Sequence, residues 1–303
     1  MIAETRTAQR AAKIGLPMRP VPPSCESLLI RYFPPDSEVL NIPHVAHRPS
    51  LTGSATAVRA ETFPIVAVEH GFLLGAGGEG KWLKMEDAAK TVQGGEQYHL
   101  YTLTERLGVV KGGKPHSFEE PCPDQLAIKL TPKPKSGIIA VAGSWNALPR
   151  IPKIQDTNQP VYQKAVADYL TGKGIRNPKV KITKIVRVDL DGDGEDEVLI
   201  SATNYFSKDG VPSSAQQGSY SCVLLRRVVG GKVETQLIDG EFYPKATTFS
   251  APNAYEISAI LDLDGDGRME VILESGYYEG GATAVYSVTG KKPKQLLIVG
   301  CGA

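Results

Sequence analysis

The sequence predicts a mainly β protein: a small mixed-β N-terminal domain, then one helix and a C-terminal duplicated four-stranded unit. Three observations carry this. Glycine and proline are abundant, 31 and 22 of 303 residues, which suits a turn-rich β architecture better than a helical one. Short apolar runs alternate with turn signals through most of the chain. A pattern of strand, acidic loop and three further strands occurs twice in the C-terminal half, with the loops offset by 73 residues. Self-similarity of this kind marks a repeat architecture.

Residues 1–23 are polar and then proline-rich and read as a disordered leader. Residues 24–140 carry apolar runs at 27–33, 63–69, 71–74, 97–104 and 126–130, punctuated by the pairs Gly77-Gly78, Gly94-Gly95 and Gly112-Gly113. Residues 85–92, opening on Glu86-Asp87, predict a short helix. The proline-rich and basic stretch around 131–156 places a domain boundary there, with 141–158 as the linker. A helix then runs from about 159 to 170. Asn158 is its candidate N-cap, Pro160 sits in its first turn, and Tyr162, Ala165, Val166, Tyr169 and Leu170 share one face. Strands follow at 182–188, 198–202, 221–228 and 233–238, and again at 256–261, 271–274, 284–288 and 295–299. Residues 159–303 are expected to fold as an incomplete propeller or a β-sandwich.

Net charge is +1, so no broad attraction to nucleic acid is expected. The basic run 129–135, interrupted by Pro132 and Pro134, reads as a solvated linker. No stretch approaches the ~20 apolar residues that span a bilayer. The cysteines are Cys25, Cys122, Cys222 and Cys301. Pairing within halves, Cys25–Cys122 and Cys222–Cys301, is one arrangement, and four buried free thiols another; spacing does not choose among them.

The acidic loops carry the chemistry. Residues 189–197 read Asp-Leu-Asp-Gly-Asp-Gly-Glu-Asp-Glu, and 262–270 read Asp-Leu-Asp-Gly-Asp-Gly-Arg-Met-Glu. Carboxylates at positions 1, 3 and 5 of a tight curl converge on a point, and Ca²⁺ takes 6–8 oxygens at roughly 2.3–2.6 Å. Asp189, Asp191, Asp193, the Glu195 carbonyl and Glu197 form one expected ligand set. Asp262, Asp264, Asp266, the Arg268 carbonyl and Glu270 form the other. Gly194 and Gly267 at position 6 allow the positive φ of the turn, and Leu190 and Leu263 anchor the loops inward. Neither loop is an EF-hand, because position 12 is Ile200 or Leu273 and the flanks are strands.

A strand–DxDGDGxxE–strand unit resembles the FG-GAP or VCBS-type calcium repeat of integrin α propellers and secreted bacterial proteins. The resemblance rests on residues 188–200 and 261–273 and covers about 120 C-terminal residues. This chain has Glu at position 9, where the family more often has Asp, and two units where propellers have four to eight blades. The resemblance implies structural calcium, two ions in all. Extracellular loops of this kind bind at about 10⁻⁴–10⁻³ M, so the expected location is outside the cell or on its surface, with a signal peptide removed. Mg²⁺ in an intracellular protein is the competing expectation.

Tyr205 and Tyr278 match in the two units and form a candidate rim near the ions for a protein or carbohydrate ligand. The segment 207–218 is a candidate binding loop. His44 and His47, with His70 or Cys122, could chelate a transition metal; Ser54 and Ser144 lack a full nucleophile elbow. The leading functional expectation is a binding module for adhesion, envelope or matrix interaction. The alternative is a secreted hydrolase with its active site in the N-terminal half.

Overall fold

The structure, a computed structural model, describes residues 61–205 and 210–302. The chain begins with β1 (Phe63–Ala67), β2 (Phe72–Gly78) and β3 (Lys81–Lys84), then the one-turn helix α1 (Met85–Ala89). β4 (Gln97–Tyr101) and β5 (Arg106–Gly112) follow, then the short β6 (His116–Ser117), β7 (Leu126–Ala127) and β8 (Leu130–Thr131), and β9 (Ile139–Val141). They form one sheet in the order β6-β7-β2-β1-β9-β4-β5-β8, with β3 on β2. Every residue of β2 is buried, so this strand is apolar or glycine throughout. At Gly75 (φ +151°) a Cβ would lie 2.3 Å from the Leu83 carbonyl and 2.8 Å from Leu297. Only glycine lets those neighbours approach.

A second sheet runs in the order β10 (Lys153–Gln155), β11 (Ile182–Val188), β12 (Glu197–Thr203), β13 (Ser219–Val229), β14 (Lys232–Tyr243). A third comprises β15 (Ala254–Leu261), β16 (Glu270–Tyr277), β17 (Gly280–Ser287) and β18 (Lys294–Gly302). All neighbours are antiparallel. Each acidic loop joins the first two strands of a four-stranded meander, β11–β14 or β15–β18. The protein is mainly β, as the sequence predicted.

Helix α2 (Pro160–Gly172) packs Val166 and Leu170 against Ile185, Ile200 and Leu224 of the second sheet. Pro160 stands at its start as expected, but Gln159, not Asn158, is the N-cap, and it makes no side-chain cap bond. Asn158 is held outside the helix, its N–H bonded to Asp156.

One apolar core is common to the three sheets: Ile65 and Leu74 of the first, Val186 and Leu199 of the second, and Ile260 and Leu273 of the third belong to it. Each such side chain, fully buried, contributes about 1.5–3 kcal/mol. The residues read as a linker run along this core. β9, whose run the sequence placed at the domain boundary, lies between β1 and β4 inside the first sheet, and Ala147 and Leu148 are buried in the shared core. Where β15 meets the second sheet, the Tyr255 N–H donates to Ser221 Oγ at 2.8 Å and the Ile257 N–H to Ser201 Oγ at 3.1 Å. Those buried serines satisfy amides at an open sheet edge.

A disulfide joins Cys122 to Cys301, Cα atoms 5.7 Å apart. This replaces the pairing within halves: the bond links the β6–β7 connection of the first sheet to the last strand of the third. Cys222 is a free, buried thiol in β13, pushed up to about 12 by burial. Cys25 lies outside the described residues, as do the leader, the 27–33 run, Ser54, His44 and His47.

Candidate metal sites

Each acidic loop is folded by its own carboxylates. In the first, Asp189 Oδ1 accepts from the Gly192 N–H (2.6 Å) and Asp189 Oδ2 from the Gly194 N–H (3.1 Å). Asp191 Oδ1 accepts from the Asp193 N–H (3.3 Å), Asp193 Oδ1 from the Glu195 N–H (2.8 Å), and Glu197 Oε2 from the Leu190 N–H (2.9 Å). The second loop makes the same five bonds. Asp262 holds the Gly265 and Gly267 amides (2.7 and 3.0 Å), Asp264 the Asp266 amide (3.3 Å), Asp266 the Arg268 amide (2.8 Å) and Glu270 the Leu263 amide (2.9 Å). Positive φ is needed at position 4 as well as position 6: Gly192 and Gly194 have +83° and +92°, and Gly265 and Gly267 have +77° and +84°.

These bonds bring positions 1, 3 and 9 together. Asp189, Asp191 and Glu197 offer oxygens within 4.8 Å of one another, and so do Asp262, Asp264 and Glu270. Such a triad can hold a metal ion. Asp193 and Asp266, expected in the same shell, lie outside these triads and cap the position-7 amides. The side chains of Glu195 and Arg268 are exposed.

The two triads differ in burial. Asp262, Asp264 and Glu270 are each about 95% covered, with 4%, 4% and 5% exposure, whereas Asp191 is exposed and Asp189 and Glu197 are half-buried. Three buried carboxylates at such spacing repel by about 3–4 kcal/mol per pair at an effective dielectric near 20. The sum approaches the whole stability of an ordinary domain, about 5–15 kcal/mol. Protons or a cation must therefore relieve it. Burial pushes Glu270 up to about 9, reinforced by Asp264, Asp262 and Asp266. Asp264 rises to about 6, from burial and then Asp266, and Asp262 is also raised, chiefly by burial. In the first loop Glu197 is raised, again by burial.

A clamp contributed by residues 145–150 joins the loops. Arg150 donates Nε to the Asp189 carbonyl, and Nη2 to the Leu190 carbonyl (3.1 Å) and the Gly267 carbonyl (2.7 Å). The Met269 N–H bonds the Leu190 carbonyl directly at 2.8 Å. Trp145 Nε1 donates to the Asp262 carbonyl (2.7 Å), and its ring lies so close to Gly265 that a Cβ there would sit at 3.0 Å. The Asp262 N–H bonds the Ala147 carbonyl, and the Glu79 N–H bonds the Asp264 carbonyl. The second loop is thus wedged between the β2–β3 turn and the clamp. Sequence reasoning missed Trp145 and Arg150, whose partners lie as far as 117 residues away.

The other expected sites are dispersed. Tyr205 and Tyr278 follow the ends of β12 and β16 remote from the loops, roughly 20–25 Å along seven- or eight-residue strands. Tyr205 is buried beside Tyr243, ring centroids 6.2 Å apart, while Tyr278 is exposed, so the two do not form one rim around the triads. Of the 207–218 segment, 207–209 lie outside the described residues. The remainder is tied down by the Ala215–Thr247 bridge and by the Gly218 N–H on Tyr243. His70, His99 and His116 lie apart from both triads; His99 in β4 takes a bond from Arg106 at 2.7 Å, and its pKa is lowered by burial and by that guanidinium.

No protein-family model, curated protein or solved structure matches the chain.

Proposed function

We propose that the two triads are structural Ca²⁺ sites of a duplicated β-repeat unit. The observation that carries this is the identical five-bond folding of two loops 73 residues apart, each presenting three carboxylate oxygens within 4.8 Å. Ca²⁺ fits better than Mg²⁺ because oxygen-rich loops of adjustable geometry suit its 6–8 ligands, whereas Mg²⁺ demands a near-ideal octahedron and retains water. Glu197 and Glu270 close the sets at position 9, and the position-7 carbonyls of Glu195 and Arg268 are the natural further oxygens.

On this reading the chain resembles FG-GAP and VCBS-type repeats and is an exported or surface protein. Its role is binding, in adhesion or at an envelope or matrix, with a protein or carbohydrate ligand. The Cys122–Cys301 disulfide supports export, since such bonds persist in oxidising compartments. The test is thermal, on the whole chain. With a Kd near 10⁻⁴ M, millimolar calcium adds about 1.4 kcal/mol per site, so two sites raise the melting temperature by about 5–10 °C and EDTA reverses it. Asp191→Ala with Asp264→Ala should abolish the response. Unchanged melting under calcium and EDTA would remove the structural-calcium reading.

A further inference from the structure

At the end of the third sheet away from the acidic loops, the first and third sheets part to leave a cleft of about 500 Å³. The register explains its chemistry. Ile272, Val285 and Leu297 stand in one cross-strand row and belong to the shared core. Two residues further along, on the same face, the row becomes Glu274, Thr283 and Val299, with Glu256 directly opposite Glu274 on β15. All four line the cleft. Across it stand Glu69 and His70 from the β1–β2 turn, and Phe72 and Phe118, whose ring centroids are 4.5 Å apart. The disulfide holds the Phe118-bearing connection against β18, and Cys301 is itself part of the wall.

Two like charges directly opposite one another in an antiparallel pair destabilise a sheet. Glu256 is balanced by Lys184, Nζ 2.6 Å from its carboxylate and also bonded to the Ile257 carbonyl. Glu274 and Glu69 have no such cation among the ion pairs of the described residues. Glu274 and Glu69 both keep exposed side chains at the cleft; Glu274 is nevertheless held above its ordinary range by partial desolvation and then by Glu69 and Glu256, with Lys184 acting in the opposite sense. The cleft is not a metal site of the kind seen in the loops: among the described residues only the two loop triads gather three His, Cys, Asp or Glu donors within 4.8 Å.

We propose that this cleft binds an organic cation with an apolar body, an alkylammonium or guanidinium group, with Glu274 and Glu69 taking the charge and Phe72 and Phe118 the hydrocarbon. Carboxylates supply charge-assisted hydrogen bonds to such a head group, and aromatic faces favour a cation beside them. The size falls in the usual range for small-ligand sites, about 300–1,000 Å³. A smaller arm of about 350 Å³ shares Glu69 and Glu274 and leads to Lys133 and Lys135. Those lysines oppose a second positive charge there, so a ligand charged at one end is preferred over a polycation.

The experiment is calorimetric titration of the whole chain with benzamidine and with n-butylguanidinium, with cellobiose as the neutral comparison. Saturable binding of the cations and none of cellobiose is expected. Glu274→Gln and Glu69→Gln should each weaken binding by at least about tenfold, while Asp168→Asn on the remote face of α2 should not. Glu274→Gln should also melt no lower than the native chain, because it relieves the Glu256–Glu274 opposition, so lost binding is not lost folding. Absence of saturable cation binding, equal binding by native and Gln variants, or binding of cellobiose alone would overturn the proposal.

Discussion

Glu270 and Glu197 hold the same position in their loops and the same amide bond, yet one is buried and the other half-exposed. The buried one dictates how the cation-free protein responds to pH. A carboxyl raised from 4.5 to about 9 on folding binds more protons folded than unfolded across that window. Stability therefore falls as pH rises through it. Cation-free protein should lose melting temperature between about pH 5 and pH 9, and saturating calcium should flatten or invert the slope. Glu270→Gln should remove most of the slope in EDTA and melt above the native chain at alkaline pH, while losing the calcium response of the second loop. A profile that rises with pH in EDTA would contradict the burial argument. Arg150 acts at the same scale. Its guanidinium serves three carbonyls from two loops, so Arg150→Ala should cost about 2–3 kcal/mol by denaturant titration. Arg150→Lys should recover only part of that, since an ammonium lacks the planar fork.

Among the elements, β15 is the most informative. It opens the third sheet, yet its outward amides meet Ser201 and Ser221 of the second, so an exposed edge becomes a seam. Ser201→Ala and Ser221→Ala should each destabilise by about 1–3 kcal/mol in urea titrations, because each leaves a buried amide unpaired. An effect below a few tenths would show that water replaces the hydroxyl. The strands and acidic loops were legible in the sequence because they rest on local signals: β-branched runs, turn glycines, and carboxylates two residues apart. β11 spans the expected 182–188, and α2 packs the expected face. β9 was not legible, because three residues among prolines and lysines look like a connection until sheet neighbours on both sides claim them. Trp145 and Arg150 were not legible for the same reason: their roles exist only through carbonyls remote in sequence. Tyr205 and Tyr278 show the reverse error. Their correspondence along the chain was real, but strand length carries them away from the loops they follow.

For the molecule as a whole, the apolar core common to three sheets makes separate unfolding of an N-terminal and a C-terminal half an unfavourable outcome. Denaturation followed by the near-ultraviolet signal of Trp82 in the first sheet should coincide with far-ultraviolet loss of strand, and calcium should shift both together. Non-coincident transitions would restore two independent domains. The Cys122–Cys301 bond adds a constraint of another kind. It closes the chain on itself across a separation of 179 residues, and both acidic loops lie within that covalent ring. A ring of this size removes about 5 kcal/mol of freedom from the unfolded ensemble. It also means that a protease cutting once inside the ring leaves a single particle. The two pieces separate only under reduction, so a nicked molecule can keep both triads and the cleft in place wherever thiols remain oxidised.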